Sequence, residues 1–313
     1  MTFDPRPLLR RLGRPNARPF AVDEAKALFT AMLEGTLDDV QLGAAWMGLR
    51  IKGETPEELV AFLAVAEGAY RHWTIGGGQL PIIIPSYNGA RQLPNLTPLL
   101  AELLARRGVP VVIHGVSHDP SRVTSAEVFA AMDNPPCVTP DDMTARHRSR
   151  RPAFVPIETL APSIAKLLDR RWTIGARGSM HTVVKMINPL STPALRIVSV
   201  THPDYVERMR ACFASDPVGI LLLRGAEGEA VAHPRRALRM EWIGAGREPD
   251  AAVVSTTEPL DAVELPDAVS AAATADWIAR ALAGRVPIPP AIFAQVDGCL
   301  AAIARSASVM AEA

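Results

Sequence analysis

The feature that most constrains this chain is a change of hydrophobic period at Gly76-Gly77-Gly78. Before that point apolar residues recur at helical spacing. Ala25, Leu28, Phe29, Met32 and Leu33 fall on one face of a helix read over Val22–Glu34, with Gly35 as its stop. Asp38 with Gln41, and Thr55 with Pro56, Glu57 and Glu58, start two more helices. The first runs through Leu42, Ala45, Trp46 and Leu49, and the second ends near Tyr70. After the glycines, short apolar runs at 81–85, 109–114, 196–200 and 218–223 alternate with helical segments. Thr97-Pro98 opens one such segment, Thr124 with Glu127 opens another, and a third covers 204–213. Strands that are apolar throughout and alternate with helices predict a parallel sheet covered on both faces.

The fold class expected is therefore α plus α/β: a small helical N-terminal domain beside a larger domain built on a mostly parallel sheet. Helical periodicity returns at about 158–190, so the helical domain is assigned residues 1–75 with that segment, and the α/β domain 76–157 and 191–313. Residues 133–152, rich in proline, aspartate and arginine, read as an exposed loop. A strand at 251–256 and helices over 266–282 and over 290–306 or beyond complete the reading.

Composition narrows the function classes. Three cysteines, none in a Cys-x-x-Cys pair, exclude a disulfide framework and a structural zinc site, and point to a reducing compartment, the cytoplasm. Residues 1–12 carry no apolar leader, and runs of this length do not span a bilayer, so no membrane partner is expected. The 33 basic and 33 acidic residues balance, but unevenly along the chain. Between 241 and 276 eight acids (Glu241, Glu248, Asp250, Glu258, Asp261, Glu264, Asp267, Asp276) face only Arg247, so the segment is net −7 and the rest net +7. Basic residues gather in three places: Arg6, Arg10, Arg11, Arg14 and Arg18; Arg146, Arg148, Arg150 and Arg151; and Lys166, Arg170, Arg171, Arg177 and Lys185. Fixed guanidinium groups are good forks for phosphate, and several together give salt-dependent, sequence-tolerant binding of nucleic acid. Arg6–Arg18 reads as a mobile arm. Trp73 and Trp172 read as core residues. Tyr87, beside Asn88-Gly89 and Arg91, is left open between a base-stacking ring and part of a plain turn. His114 reads as a structural histidine, and Glu227 and Glu229 as a solvated turn after a strand.

Three ordered segments resemble anthranilate phosphoribosyltransferase and its relatives. They are Leu49-Arg50-Ile51-Lys52-Gly53-Glu54-Thr55; His114-Gly115 with Ser121-Arg122 and Ser125-Ala126-Glu127-Val128; and Ile174-Gly175-Ala176-Arg177 with Asn188-Pro189-Leu190. The resemblance implies the same two-domain fold. It also implies a glycine-rich phosphate loop, an Asp-Glu magnesium pair and an acceptor segment, and here all three are changed. In register with Asn95-Leu96-Thr97-Pro98 stands Pro85-Ser86-Tyr87-Asn88-Gly89, where proline offers no amide. The acidic pair is Glu227-Gly228-Glu229, and Ala161-Pro162 runs into Ser163-Ile164-Ala165-Lys166.

The altered residues themselves resemble the YbiB-type branch of this fold. Its marks here are Pro85-Ser86-Tyr87-Asn88-Gly89-Ala90-Arg91, His114-Gly115-Val116-Ser117 and Arg171-Trp172. That resemblance implies a homodimer, joined through the helical domain, that binds single-stranded DNA or RNA through basic surfaces. It implies no catalytic residue, no cofactor and no metal. The candidate nucleic-acid residues are Arg6, Arg10, Arg11, Arg14, Arg91, Arg146, Arg148, Arg150, Arg151, Lys166, Arg170, Arg171 and Arg177. Ser86, Tyr87, Asn88, Gly89, Asn95 and Thr97 are the degenerate phosphate-loop positions. The alternatives are a phosphoribosyl or glycosyl transferase with an altered substrate, and a protein-interaction module.

Overall fold

The computed structural model describes residues 3–76, 78–246, 253–256, 263–266 and 270–312. The chain divides into two compact units, Met1–Arg71 with Leu160–Pro189, and His72–Thr159 with Leu190–Ala313. In order, the elements are α1 (Arg6–Leu12), α2 (Val22–Glu34), α3 (Asp39–Lys52), α4 (Pro56–Glu67), β1 (Ile82–Ser86), α5 (Thr97–Arg106), β2 (Val111–Gly115) and α6 (Ser125–Ala131). Then come α7 (Pro140–Arg148), β3 (Ala153–Pro156), α8 (Ile157–Leu160), α9 (Pro162–Ile174), α10 (Met180–Val183), β4 (Leu195–Ser199), α11 (Pro203–Phe213) and β5 (Ile220–Leu223). A 3-10 turn (Ala226–Gly228), β6 (Arg239–Ile243), β7 (Val254–Ser255), α12 (Ala271–Leu282) and α13 (Pro290–Glu312) finish the chain.

In the helical unit the capping signals act where the sequence places them. Asp38 accepts from the Gln41 amide at 2.8 Å and Thr55 from the Glu58 amide at 3.3 Å. Glu58 then reaches inward to the Phe20 amide (2.8 Å) and to Lys52 Nζ (2.5 Å), a buried ion pair. The N-terminal segment corrects the mobile-arm expectation. Residues 6–12 form α1, with Leu8 and Leu12 buried and Leu12 packed where Gly48 leaves room. The 160–189 segment locks onto the first helices through polar contacts: Trp46 Nε1 donates to Ala176 O (3.1 Å), Arg50 to Arg177 O (2.9 Å) and Ser179 Oγ to Glu54 (2.5 Å). Phe29 stacks on Phe62 inside the bundle, with centroids 4.4 Å apart.

The second unit is a seven-stranded sheet in the order β3-β2-β1-β4-β5-β6-β7. The first five strands are parallel, and β6 and β7 are antiparallel additions. Ile82, Ile84, Val111, Ile113, Ile197, Leu221 and Leu223 enter one buried cluster with Leu100 and Leu104 of α5, Phe129 of α6, Trp277 and Ile278 of α12, and Ile292, Val296 and Cys299 of α13. α13 is long and apolar enough in composition to cross a membrane, but half of it is buried in this core. The 133–152 loop expectation is corrected. Thr139 accepts from the Asp142 amide and opens α7, and the edge strand β3 follows, tolerating Pro156 at its end.

Strand order reverses between β1 and β4, which both begin their register at Ile82↔Leu195 and stop pairing after Ile83↔Arg196. Pro85 therefore lies where β1 has outrun β4, so a proline in a central strand is tolerated. Beyond this point, at the carboxyl ends of the strands, open α/β sheets form their ligand crevice.

Gly178 tests the packing of the helical unit. A Cβ there would lie 2.5 Å from the Trp46 ring, which cannot yield because its N–H is held by Ala176. Gly178→Ala is expected to lower stability by about 1–3 kcal/mol in denaturant unfolding. An unchanged midpoint would contradict the contact.

Candidate functional site

The loop after β1 is an anion cradle, and the chain fills it with its own carboxylates. Glu229 Oε1 accepts from the amides of Asn88 (2.7 Å) and Gly89 (2.8 Å). Its Oε2 accepts from Ser86 Oγ (2.6 Å) and Thr97 Oγ1 (3.3 Å). Glu227 Oε1 takes the amides of Gln92 (2.9 Å) and Leu93 (3.0 Å), and its Oε2 that of Arg91 (3.2 Å). Arg122 lies 3.7 Å from Glu227 and donates to Gly89 O at 3.3 Å. Glu227 has a positive φ of 51°, a conformation a non-glycine residue holds only where its surroundings fix it. Gly228 has no alternative: a Cβ would sit 1.8 Å from Asn88 Nδ2, whose own bond to Glu227 O is 3.1 Å. Converging backbone amides form a nest that favours a negative group, and two glutamates from the turn after β5 supply it.

The solvated-turn reading of Glu227-Gly228-Glu229 is thereby corrected: Glu229 is buried, and both its oxygens are engaged by donors of the protein. Asn95 and Thr97 brace the same loop. Asn95 donates to Val123 O (3.1 Å) and accepts from the Thr97 amide (3.2 Å). These residues do not fit a magnesium pyrophosphate. The amides and hydroxyls that would meet phosphate oxygens already serve Glu229, and both carboxylates face donors inside the protein.

Tyr87 is buried, its hydroxyl 2.6 Å from His114 Nδ1 and its ring edge-on to the imidazole. It is no platform for a base. Burial pushes His114 down to about 3, so the ring stays neutral and structural. Trp73 is buried in the second unit. Trp172 is the reverse of the core residue expected. It is 53% exposed, with the Arg171 guanidinium 4.1 Å from its ring centroid.

The arginine clusters separate into held and free members. Arg6 pairs with Asp4 (2.8 Å), and Arg11 pairs with Glu24 (2.6 Å) while lying over Phe20. Arg146 donates to Pro135 O, and Arg151 to Asp133 O and Met132 O, so both fasten the α6–α7 connection. Arg170 lies 3.4 Å from Asp39, and the Arg177 carbonyl accepts from Arg50. Arg10, Arg14, Arg91, Arg148, Arg150 and Lys166 are exposed without an ion-pair partner among the described residues. In the α/β unit Arg106, Arg150 and Arg151 wall a groove of about 1150 Å³ whose other side is the Ala272, Ala275 and Ala279 face of α12. In the acidic 241–276 segment, Glu241 is paired to Arg210 (2.5 Å) and Arg239 (2.8 Å). Glu248, Asp250, Glu258, Asp261 and Asp267 lie outside the described residues.

Residues 6–66 match the glycosyl transferase family helical bundle domain. The whole chain is 37% identical to YbiB, an uncharacterized protein of Escherichia coli (strain K12), over 98% of this chain and 97% of that one. The anthranilate phosphoribosyltransferase of Desulfitobacterium hafniense is 27% identical over 57% of this chain, which spans only 52% of that enzyme. Among solved structures, anthranilate phosphoribosyltransferase from Thermus thermophilus superposes with a TM-score of 0.71 at 20% identity, covering 94% of this chain and 92% of its own. The Saccharomyces cerevisiae enzyme, in complex with PRPP and Mg, gives 0.71 at 12% identity over 96% and 95%. At these identities the superpositions establish the fold alone: a helical N-terminal domain with an α/β domain on a mostly parallel sheet.

The buried histidines set a pH dependence. His114 and His181 are both pushed down to about 3, chiefly by burial, with Arg177 and Arg171 adding to the effect on His181. Unfolding frees them to take protons at their ordinary value, so the unfolded state binds more protons at acid pH. The stability is fully present above about pH 6.5 and is lost as the pH falls toward about 3. Urea midpoints are expected to fall steadily through this window, less steeply for His114→Gln. Equal slopes in the two proteins would contradict a neutral, buried His114.

Proposed function

The chain belongs to the YbiB family, and from that premise we propose that it is a non-catalytic homodimer of the cytoplasm that binds single-stranded DNA or RNA with little sequence preference. The observation that carries the reading is the occupied cradle. The nest suited to a sugar pyrophosphate is satisfied from within by Glu229 and Glu227. Among the candidate residues, the positive charge left for an outside anion stands on the surface, on Arg10, Arg14, Arg91, Arg148, Arg150 and Lys166. Arginines spread over a surface suit a polyanion that neutralises them along its length, with counterion release as the driving force.

Self-association has its own support. α3 presents Val40 (82% exposed), Met47 and Ile51 (80% exposed) at spacings of seven and four, an apolar ridge on the outside of the helix. A second copy of the same ridge would cover it. Light scattering on the eluted protein is expected to give a dimer, and Val40→Asp with Ile51→Asp a folded monomer. A monomeric wild type would overturn the dimer.

Binding is tested by anisotropy of a labelled single-stranded oligonucleotide at low and moderate salt. Affinity is expected to fall steeply with salt. Arg148→Ala with Arg150→Ala should lower the log–log slope by about 0.7 for each phosphate that is no longer neutralised. Arg146 and Arg151 are poor test positions because they hold backbone carbonyls. Absence of binding at low salt would remove the proposal. Heat on titrating pyrophosphate and magnesium into the wild type would favour the transferase alternative.

A further inference from the structure

We infer that Trp172 is a stacking platform for an unpaired base, so that the end of α9 meets the bases of a bound strand and not only its phosphates. This rests on the nucleic-acid reading above and adds to it the residue that would prefer single strands to duplex.

Five tryptophans occur in the chain, and four are buried. Three of those four also have their ring N–H satisfied: Trp46 by Ala176 O, Trp242 by Ser306 Oγ (3.0 Å) and Trp277 by Glu264 O (3.1 Å). Trp172 departs from this pattern in every respect. More than half its surface is in water, and its N–H has no protein acceptor among the described residues. An indole left in water forgoes the largest burial gain of any side chain.

The ring is nonetheless held. The Arg171 guanidinium stacks at 4.1 Å from its centroid, a cation–π contact that covers ring surface with positive charge. α9 ends two residues later at Ile174, with Gly175 in the left-handed conformation and its amide bonded to Arg171 O. Arg171 and Trp172 are thus fixed in the last turn of a helix whose other side is anchored by Ile164, Leu167 and Leu168.

A partly immobilised aromatic ring backed by a guanidinium is the arrangement that stacks a nucleobase irrespective of its identity, because every base has a π-face. Duplex bases offer no free face, so such a ring discriminates between the two forms. Lys166 and Arg171 make the surroundings of the ring basic, with Arg170 shared with Asp39 at 3.4 Å, which suits a phosphate-bearing strand.

The test uses tryptophan emission of the full-length protein titrated with unlabelled oligothymidylate, beside anisotropy with a labelled strand and a labelled duplex. Because the other four rings are buried, long-wavelength emission reports Trp172. It should be quenched as the strand binds. Trp172→Ala is expected to weaken single-strand binding about tenfold with duplex binding within about twofold, and Trp172→Phe to recover most of the affinity. Strand binding by anisotropy with no quenching and with wild-type affinity in Trp172→Ala would overturn this inference and leave the nucleic-acid proposal standing. Wild-type protein that binds no strand would overturn both. Conversion of Trp172→Ala to a monomer, read by light scattering, would assign the ring to a protein contact and likewise overturn it.

Discussion

A single carboxylate organises the α/β unit. Glu229 accepts four hydrogen bonds from residues of two separate segments, the end of β1 with its following loop and the start of α5. Backbone amides pointing into one concavity carry a fixed partial positive charge, and a buried nest without an anion leaves several donors unsatisfied. Here the fold closes it, with Glu227 repeating the device three residues further along the loop. The loop that a glycine-rich sequence would keep open to a ligand is held as a fixed part of the scaffold. Tyr87 in the same loop turns inward to His114, and Pro85 is accommodated where β1 stands clear of β4.

Local chemistry is legible in the sequence, and long-range chemistry is not. The helix starts at Asp38, Thr55 and Thr124 are readable because a cap and its partner lie three residues apart. The central strands are readable because burial on both faces leaves an unbroken apolar run. α7 escapes such a reading because its nine residues bury only Met143, so hydrophobic period gives no signal, although Thr139 and Asp142 form a capping box. β3 and β6 escape it because strands of four and five residues beside prolines and charges lack a period. The role of Glu229 is out of reach, since its partners are more than 130 residues away. The exchange of roles between Tyr87 and Trp172 has the same origin: whether an aromatic ring faces core or water is decided by tertiary neighbours.

The arginine clusters show how a charge run mixes two tasks. Within one stretch Arg146 and Arg151 serve carbonyls at the end of α6 and its connection, while Arg148 and Arg150 point to solvent. Buried Glu102 shares the neighbourhood of Arg106, Arg146 and Arg151; burial raises its pKa and the three arginines oppose that rise. Charge counting along the chain weighs all of these alike. Separating fastened from available cations reduces the surface offered to a partner to a few positions in each unit.

The contact between Trp46 and Gly178 has a consequence for how the protein is made. The helical unit is written in two pieces, and the slot that receives Trp46 comes from the second. While the ribosome adds the residues between Arg71 and the end of that second piece at Pro189, the first four helices wait with a large ring uncovered. At a synthesis rate of roughly 5–20 residues per second, the delay is on the order of ten seconds. The amino-terminal unit therefore cannot close until residue 189 has been added, and for that interval the nascent chain carries an apolar surface that its own later residues have yet to cover.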